Sequence, residues 1–252
     1  MTSDHEQLSY RFARALLRPP LMVLTGRDWR GQEHIPPSGG CVVVTNHISH
    51  FDPLSFAHFV NDAGRAPRFL AKSSVFELPL VGSIIRNAGQ IPVYRETRDA
   101  TTAFRAAVEA VEAGECVAIY PEATLTRDPD LWPMVGKTGA ARVALATGCP
   151  VVPIAQWGAH EVLAPYSKVP HLLPRKTVHV WAGPPVDLGD LRGRDLTADL
   201  LRQATERVTL AVTRLLEEMR GESAPAAPFD PRQHDLPRIG NPRKRSSENG
   251  ES

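Results

Sequence analysis

The stretch Gly39-Gly40-Cys41-Val42-Val43-Val44-Thr45-Asn46-His47-Ile48-Ser49-His50-Phe51-Asp52-Pro53 decides the fold class. Two glycines break the chain, and an unbroken apolar and β-branched run follows. A strand with no polar alternation is one buried on both faces of a sheet. Asp52-Pro53 then reads as the opening of a helix, with Asp as N-cap and Pro at the first helical position. A buried strand that turns directly into a helix is half of a βαβ unit.

The same alternation continues on both sides. Downstream strands are expected at Phe69-Ala71, Ile91-Val93, Cys116-Tyr120, Pro150-Ala155 and Thr177-Trp181. Pro92 suits an edge or terminal strand position, because proline cannot donate to a ladder. Helices are expected over Leu80–Asn87, Asp99–Ala113 and Thr138–Thr147. In the middle one, Ala103, Phe104, Ala107, Val108 and Val111 form the apolar face, and Gly114 ends it. Leu200 to Leu216 forms a long amphipathic helix that stops before Gly221. These elements predict an α/β fold with a mostly parallel central sheet flanked by helices.

Upstream, residues 5–18 read as an amphipathic helix stopped by Pro19-Pro20, and the apolar run Leu21-Leu24 follows. Two readings fit this N-terminal helical segment, residues 1–24: a helix packed on the core, or one lying on an anionic membrane surface. Residues 25–221 form the catalytic-sized domain. From 222 to 252 the chain turns to Pro, Ser and charge, the composition of a disordered tail.

Bulk properties narrow the function classes. Of 252 residues, 42% are hydrophobic and 23% charged, enough for a packed core. The net charge of +1 argues against a general nucleic-acid binder. Cys41, Cys116 and Cys149 are odd in number and sit in or beside apolar runs, so they read as reduced buried thiols of a cytosolic protein rather than a disulfide or zinc framework. No stretch reaches the ~20 apolar residues of a spanning helix, and no signal peptide is expected. The chain is therefore expected to be cytoplasmic and soluble or peripheral.

Chemistry can reside at several strand ends, where α/β folds place reactive groups. His47 precedes Asp52 by five positions. On one helix, five steps of about 100° would splay the two side chains apart. Across a strand-to-helix turn they can meet, and a carboxylate on one imidazole nitrogen prepares the other to accept a proton. The bland alternative is a capping Asp beside a loop histidine. A metal site using His47, His50 and Asp52 lacks further ligands nearby. Arg95, delivered by Ile91-Pro92-Val93-Tyr94, has the guanidinium that grips phosphate with paired hydrogen bonds. Tyr120-Pro121-Glu122-Ala123-Thr124-Leu125-Thr126-Arg127 again follows a buried strand with a carboxylate, hydroxyls and an arginine. Glu122 can bond glycerol hydroxyls or hold arginines, and Thr124 and Arg127 can help bind phosphate. A capped turn is the alternative.

Taken together, Asn46-His47…Asp52, Gly89…Arg95, Pro121-Glu122-Ala123-Thr124 and Val152-Pro153 resemble the four ordered blocks of the glycerolipid acyltransferase family that includes 1-acylglycerol-3-phosphate acyltransferases. The similarity covers roughly residues 25–190, and Lys137-Thr138-Gly139 resembles the Lys-x-Gly element that follows the third block. The resemblance implies transfer of a fatty acyl group from acyl-CoA or acyl-carrier protein to a lysophospholipid hydroxyl, with no bound cofactor or metal. His47 is then the general base, Asp52 its orienter, and Arg95, Glu122, Thr124, Arg127 and Lys137 the substrate-binding set. It further implies a peripheral protein on the inner face of the cell membrane. Another lipid acceptor, a lipid ester or thioester hydrolase, and a non-catalytic lipid-binding homologue remain open alternatives. Two positions depart from the family pattern: Ala123 stands for glycine, and Leu125 for arginine.

Overall fold

Among the described residues, β2 (Cys41–Thr45) is the middle strand of a seven-stranded sheet whose strands run, edge to edge, Thr25–Arg30, Lys176–Ala182, Val151–Trp157, Cys41–Thr45, Cys116–Ile119, Pro67–Lys72 and Ile91–Val93. The computed structural model describes residues 15–16, 18–79, 81–87, 89–93 and 99–234. In chain order the strands are β1 (Thr25–Arg30), β2, β3 (Pro67–Lys72), β4 (Ile91–Val93), β5 (Cys116–Ile119), β6 (Val151–Trp157) and β7 (Lys176–Ala182). The helices are α1 (residues 18–24), α2 (Asp52–Asp62), α3 (Ser73–Phe76), α4 (Val81–Asn87), α5 (Asp99–Glu112), α6 (Gly139–Thr147), α7 (Ala159–Val162) and α8 (Ala198–Arg220). β6 and β7 pair antiparallel. The ladders β1–β7, β2–β5, β2–β6, β3–β4 and β3–β5 are parallel.

The unbroken apolar run of β2 has a direct cause. Val42 and Val44 point into a core built with α5, α6 and α8, whose Val111, Ala144 and Val208 meet them. Cys41 and Val43 point the other way, into a second core with Phe56, Phe59 and Val60 of α2 and Val162 of α7. Both faces are covered, so neither set of side chains can be polar. Phe56 and Phe59 are completely buried, each stabilising by about 2–3 kcal/mol. This anchors α2 against the sheet and fixes where its first residue lies.

The structure departs from the sequence expectations in four places. Residues 15–16 and 18–24 are helical, so Pro19-Pro20 does not stop the N-terminal helix. The carbonyls of Ala15 and Leu16, which lose their donors to the prolines, belong to exposed residues, so the lost bonds leave no buried acceptor unsatisfied. β1 was not expected, because Thr-Gly-Arg-Asp-Trp-Arg has no apolar alternation; it is an edge strand held by register pairing with β7. Asp52 is the first residue of α2, with Phe51 in the capping position and no side-chain cap bond. Finally, order continues past 221. Ala224 N bonds the Glu217 carboxylate at 2.9 Å, Val135 N bonds Phe229 O at 3.0 Å, and a short 3-10 turn covers Pro231–His234. The polar composition there is compatible with order because the segment packs back onto the loop at Met134–Val135 rather than building a core.

Candidate active site

His47 follows the end of β2 by two residues, and the chain around it is held from the sheet side. The Asn46 side chain imitates a peptide: its Nδ2 donates to Gln156 O at 2.9 Å, and its Oδ1 accepts from Gln156 N at 2.8 Å. The buried Gln156 side chain donates to Thr45 Oγ1 at 3.1 Å and accepts from Ser55 Oγ at 3.0 Å. One side chain thereby ties the end of β2 to the first turn of α2. Ser49 Oγ donates to Leu163 O at 2.6 Å and fixes the middle of the turn.

Within that frame His47 and Asp52 meet. His47 Nδ1 lies 3.0 Å from Asp52 Oδ2. The same oxygen accepts the backbone N–H of Ile48 at 2.6 Å and of Ser49 at 2.8 Å. Asp52 is fully buried, whereas the imidazole keeps some exposure. An oxygen already facing two donors is an acceptor toward the third, so Nδ1 carries the proton and Nε2 presents its lone pair. The carboxylate also sits in the first turn of α2, at the positive end of the helix dipole.

The third motif encloses His47 from behind. Glu122 Oε1 accepts His47 N at 3.0 Å, and Oε2 accepts Met134 N at 3.1 Å. Thr126 N donates to His47 O at 2.7 Å. The Tyr120 ring tilts against the imidazole, with centroids 4.3 Å apart. Burial pushes the Glu122 carboxyl up to about 8, outweighing the two backbone donors that favour its charge. Burial likewise raises the Tyr120 phenol, with the Asp52 charge adding to it. The loop beyond is braced: Thr126 Oγ1 donates to Trp132 O at 2.7 Å. The Arg220 guanidinium stacks between Trp132 and Trp157, 3.9 and 4.2 Å from their ring centroids.

Among the residues singled out from sequence, His47, Asp52 and Glu122 form one constellation. Thr124 is half-buried in the same turn, Arg127 is buried, and Lys137 is exposed with its backbone N–H on Pro121 O at 2.8 Å. Arg95 lies outside the described residues. Gly89 has a φ of 67°, and the Arg68 guanidinium occupies the space a Cβ would take. Val152 and Pro153 lie on β6 in register with Val43 and Val44 of β2, beside the strand end that leads into the His47–Asp52 turn. Both family departures are now placed. Ala123 adopts a φ of 56°, the conformation glycine holds at no steric cost. Leu125 is buried. Sequence reading missed the roles of Asn46, Gln156 and Tyr120. A glutamine, Gln156, breaking the otherwise apolar strand Val151–Trp157 was the available signal for one of them.

These features define the class. The sequence profile of the Acyltransferase family matches residues 27–157, and the chain belongs to that family. It is 32% identical over 138 residues to the chloroplastic 1-acyl-sn-glycerol-3-phosphate acyltransferase BAT2 of Brassica napus, covering 54% of this chain and 38% of that protein. It is 31% identical over 137 residues to the 1-acyl-sn-glycerol-3-phosphate acyltransferase of Borreliella burgdorferi, covering 52% of this chain and 51% of that one. The aligned stretch thus spans about half or less of these relatives. The crystal structure of the 1-acyl-sn-glycerophosphate acyltransferase PlsC from Thermotoga maritima superposes with a TM-score of 0.63 at 26% identity, covering 87% of this chain and 81% of that one.

Proposed function

We propose that the chain transfers a fatty acyl group from acyl-CoA or acyl-carrier protein to the hydroxyl of a lysophospholipid, with 1-acyl-sn-glycerol-3-phosphate as acceptor and phosphatidic acid as product. The observation that carries the reading is the 3.0 Å contact of His47 Nδ1 with the buried Asp52 carboxylate. His47 Nε2 takes the acceptor proton as that oxygen attacks the thioester carbonyl carbon. The C–O bond forms, the C–S bond breaks, and the imidazolium returns its proton to the departing thiolate. Asp52 steadies the imidazolium in between.

Direct transfer fits the surroundings of His47. Ser49 Oγ is bonded to Leu163 O, and Ser55 Oγ to Gln156 and Asp52 O, so neither hydroxyl is turned to the imidazole. All three cysteines are buried. Glu122 acts as a positioning residue in this scheme, since both its oxygens hold backbone N–H groups. Because Leu125 is buried, the reading assigns the acceptor phosphate to Arg95, Arg127 and Lys137, with the Thr124 hydroxyl as a further donor. The names of the relatives support the acceptor, and a lipid acceptor supports a protein working at a membrane surface, which the reading takes to be the inner face of the cell membrane.

His47→Ala tests the reading. Purified protein with radiolabelled acyl-CoA and a panel of lysolipids should give acylated product, and the variant should give less by a factor of about 10³ or more while keeping native-like circular dichroism. Full activity in the variant would sink the mechanism. Thioester loss as fast without acceptor as with it would instead make the protein a hydrolase.

A further inference from the structure

We propose that residues 217–234, the end of α8 and the segment that folds back from it, form a positioning strap for the catalytic turn, holding the loop of residues 126–135 in the place from which that loop fixes His47. The proposal rests on the reading above, because it names a part of the chain on which the base depends through other residues.

The loop works against its own backbone preferences. Leu131 has a φ of 64°, in the left-handed region that a side chain disfavours. Asp128 Oδ1 accepts Asp130 N at 2.8 Å and Trp132 N at 3.3 Å, which shapes the tip but ties it only to itself. Strained backbone persists where its surroundings hold it. Here the surroundings come from α8 and the chain after it.

Gly221 ends α8 with a φ of 66° and lets the chain turn back. Ala224 N then bonds the Glu217 carboxylate at 2.9 Å, and Ala224 packs against the core shared by α5, α6 and α8. Arg220 reaches over the loop. Its Nη1 donates to Asp130 O at 2.9 Å, and its guanidinium lies on Trp132. The same guanidinium stacks on Trp157 at the end of β6, so one side chain clamps the loop to the sheet. Farther along, Phe229 O accepts Val135 N at 3.0 Å, and Phe229 pairs with Met134 as an isolated parallel bridge. Asp230 fixes where Phe229 lies. Its carboxylate accepts Arg232 N at 3.0 Å and pairs with the Arg232 guanidinium at 2.7 Å, in the turn that starts at Pro231.

The loop passes the constraint on. Met134 N donates to Glu122 Oε2 at 3.1 Å, and Glu122 Oε1 accepts His47 N at 3.0 Å. Trp132 O accepts Thr126 Oγ1 at 2.7 Å, and Thr126 N donates to His47 O at 2.7 Å. One chain of contacts thus runs from Phe229 through Met134 and Glu122 to the N–H of His47. Another runs from Arg220 through Trp132 and Thr126 to its carbonyl. A general base must stand within hydrogen-bond reach of the proton it takes, and the backbone of residue 47 sets where the imidazole stands.

The test uses the full chain carrying Asp230→Ala or Arg220→Ala. The control is Arg207→Ala, an α8 variant that breaks the exposed ion pair with Asp190 instead. Hydrogen exchange read by mass spectrometry should speed up at least about fivefold in peptides covering 120–136 and 46–50 in the first two variants, and stay at the wild-type rate in the control. With radiolabelled acyl-CoA and 1-acyl-sn-glycerol-3-phosphate, kcat should fall by about tenfold or more in both and stay within about twofold in the control. Asp230→Ala combined with Glu122→Gln should lower kcat by no more than about threefold beyond the worse single variant, because both act along one chain of contacts. Independent losses that multiply would overturn the strap, as would wild-type exchange or wild-type kcat in Asp230→Ala. Arg220 is nearly buried, so if its loss unfolds the chain, Asp230→Ala decides alone. Faster exchange in the variants of a protein whose wild type turns over no acceptor would sink the acyltransferase reading and leave the strap standing. Wild-type turnover with unchanged exchange in the variants would do the reverse.

Discussion

Ala123→Gly should stabilise the protein. Ala123 holds a φ of 56°. In that left-handed region a Cβ crowds the following carbonyl oxygen, at a cost of about 1–2 kcal/mol. Glycine removes the crowding but loses about 0.5–1 kcal/mol more backbone entropy on folding. Nothing else changes sign. The Ala123 side chain is exposed, so deleting its methyl uncovers no core. The turn bond from Ala123 N to Tyr120 O, 3.0 Å, is made by backbone and survives. The difference is a net gain of about 0.5–1 kcal/mol. In a domain of this size that raises the melting temperature by about 1–4 °C, and it moves the urea midpoint upward with an unchanged slope. Ala123→Val is the opposite-signed control, because a β-branched residue fits the left-handed region worse than alanine. Paired thermal and urea melts of the three proteins decide the matter. A glycine variant that melts at or below the wild-type temperature, or a valine variant as stable as wild type, would refute the strain argument.

Asp52→Asn keeps the shape of the carboxylate but removes its charge. The carboxamide oxygen can still accept from Ile48, Ser49 and His47, and the loss is the charge 3.0 Å from the imidazolium. At an effective dielectric of about 20 that interaction is worth about 5 kcal/mol, so kcat should fall by about 10³–10⁴; a fall of less than tenfold would remove Asp52 from the mechanism. Glu122→Gln places an amide N–H₂ against one of two backbone donors, His47 N or Met134 N. It should lower stability by about 1–3 kcal/mol and lower kcat as well, and equal melting curves would show that the clamp is dispensable. The Glu122 carboxyl, raised to about 8 from an ordinary 4.5, binds its proton more tightly in the folded state. Its contribution to stability is therefore complete below about pH 4.5 and lost as pH rises through about 8. The stability advantage of wild type over Glu122→Gln should shrink between pH 5.5 and 8.5, and a constant or growing gap would contradict the raised value.

What could be read from sequence follows from the range of the interactions involved. β2, β5 and β6 were legible because burial on two faces leaves its mark residue by residue, in runs such as Val42-Val43-Val44. The meeting of His47 and Asp52 was legible as a possibility because a single turn separates them. The supports were not. Asn46 and Gln156 are 110 positions apart, and nothing near either residue announces the other. The same holds for Arg220, whose stacking on Trp132 and Trp157 closes a gap in the fold rather than in the chain. β1 escaped because an edge strand needs only its hydrogen-bond register with β7, which composition does not record.

The two departures in the third motif can then be weighed by what each position touches. Contact with His47 comes from Tyr120 through its ring, from Glu122 through its carboxyl and from Thr126 through its backbone N–H. Position 123 faces solvent and position 125 faces the interior. Neither supplies a group to the imidazole, so alanine costs local strain and leucine adds apolar packing, while the three supports of His47 are untouched. The departures in this motif therefore bear on local backbone strain at 123 and on core packing at 125. They leave the His47–Asp52 geometry as the part of the site under the strongest structural constraint, with Asp52 buried, its Oδ2 already bonded to two backbone N–H groups, and residue 47 held at both its ring and its backbone.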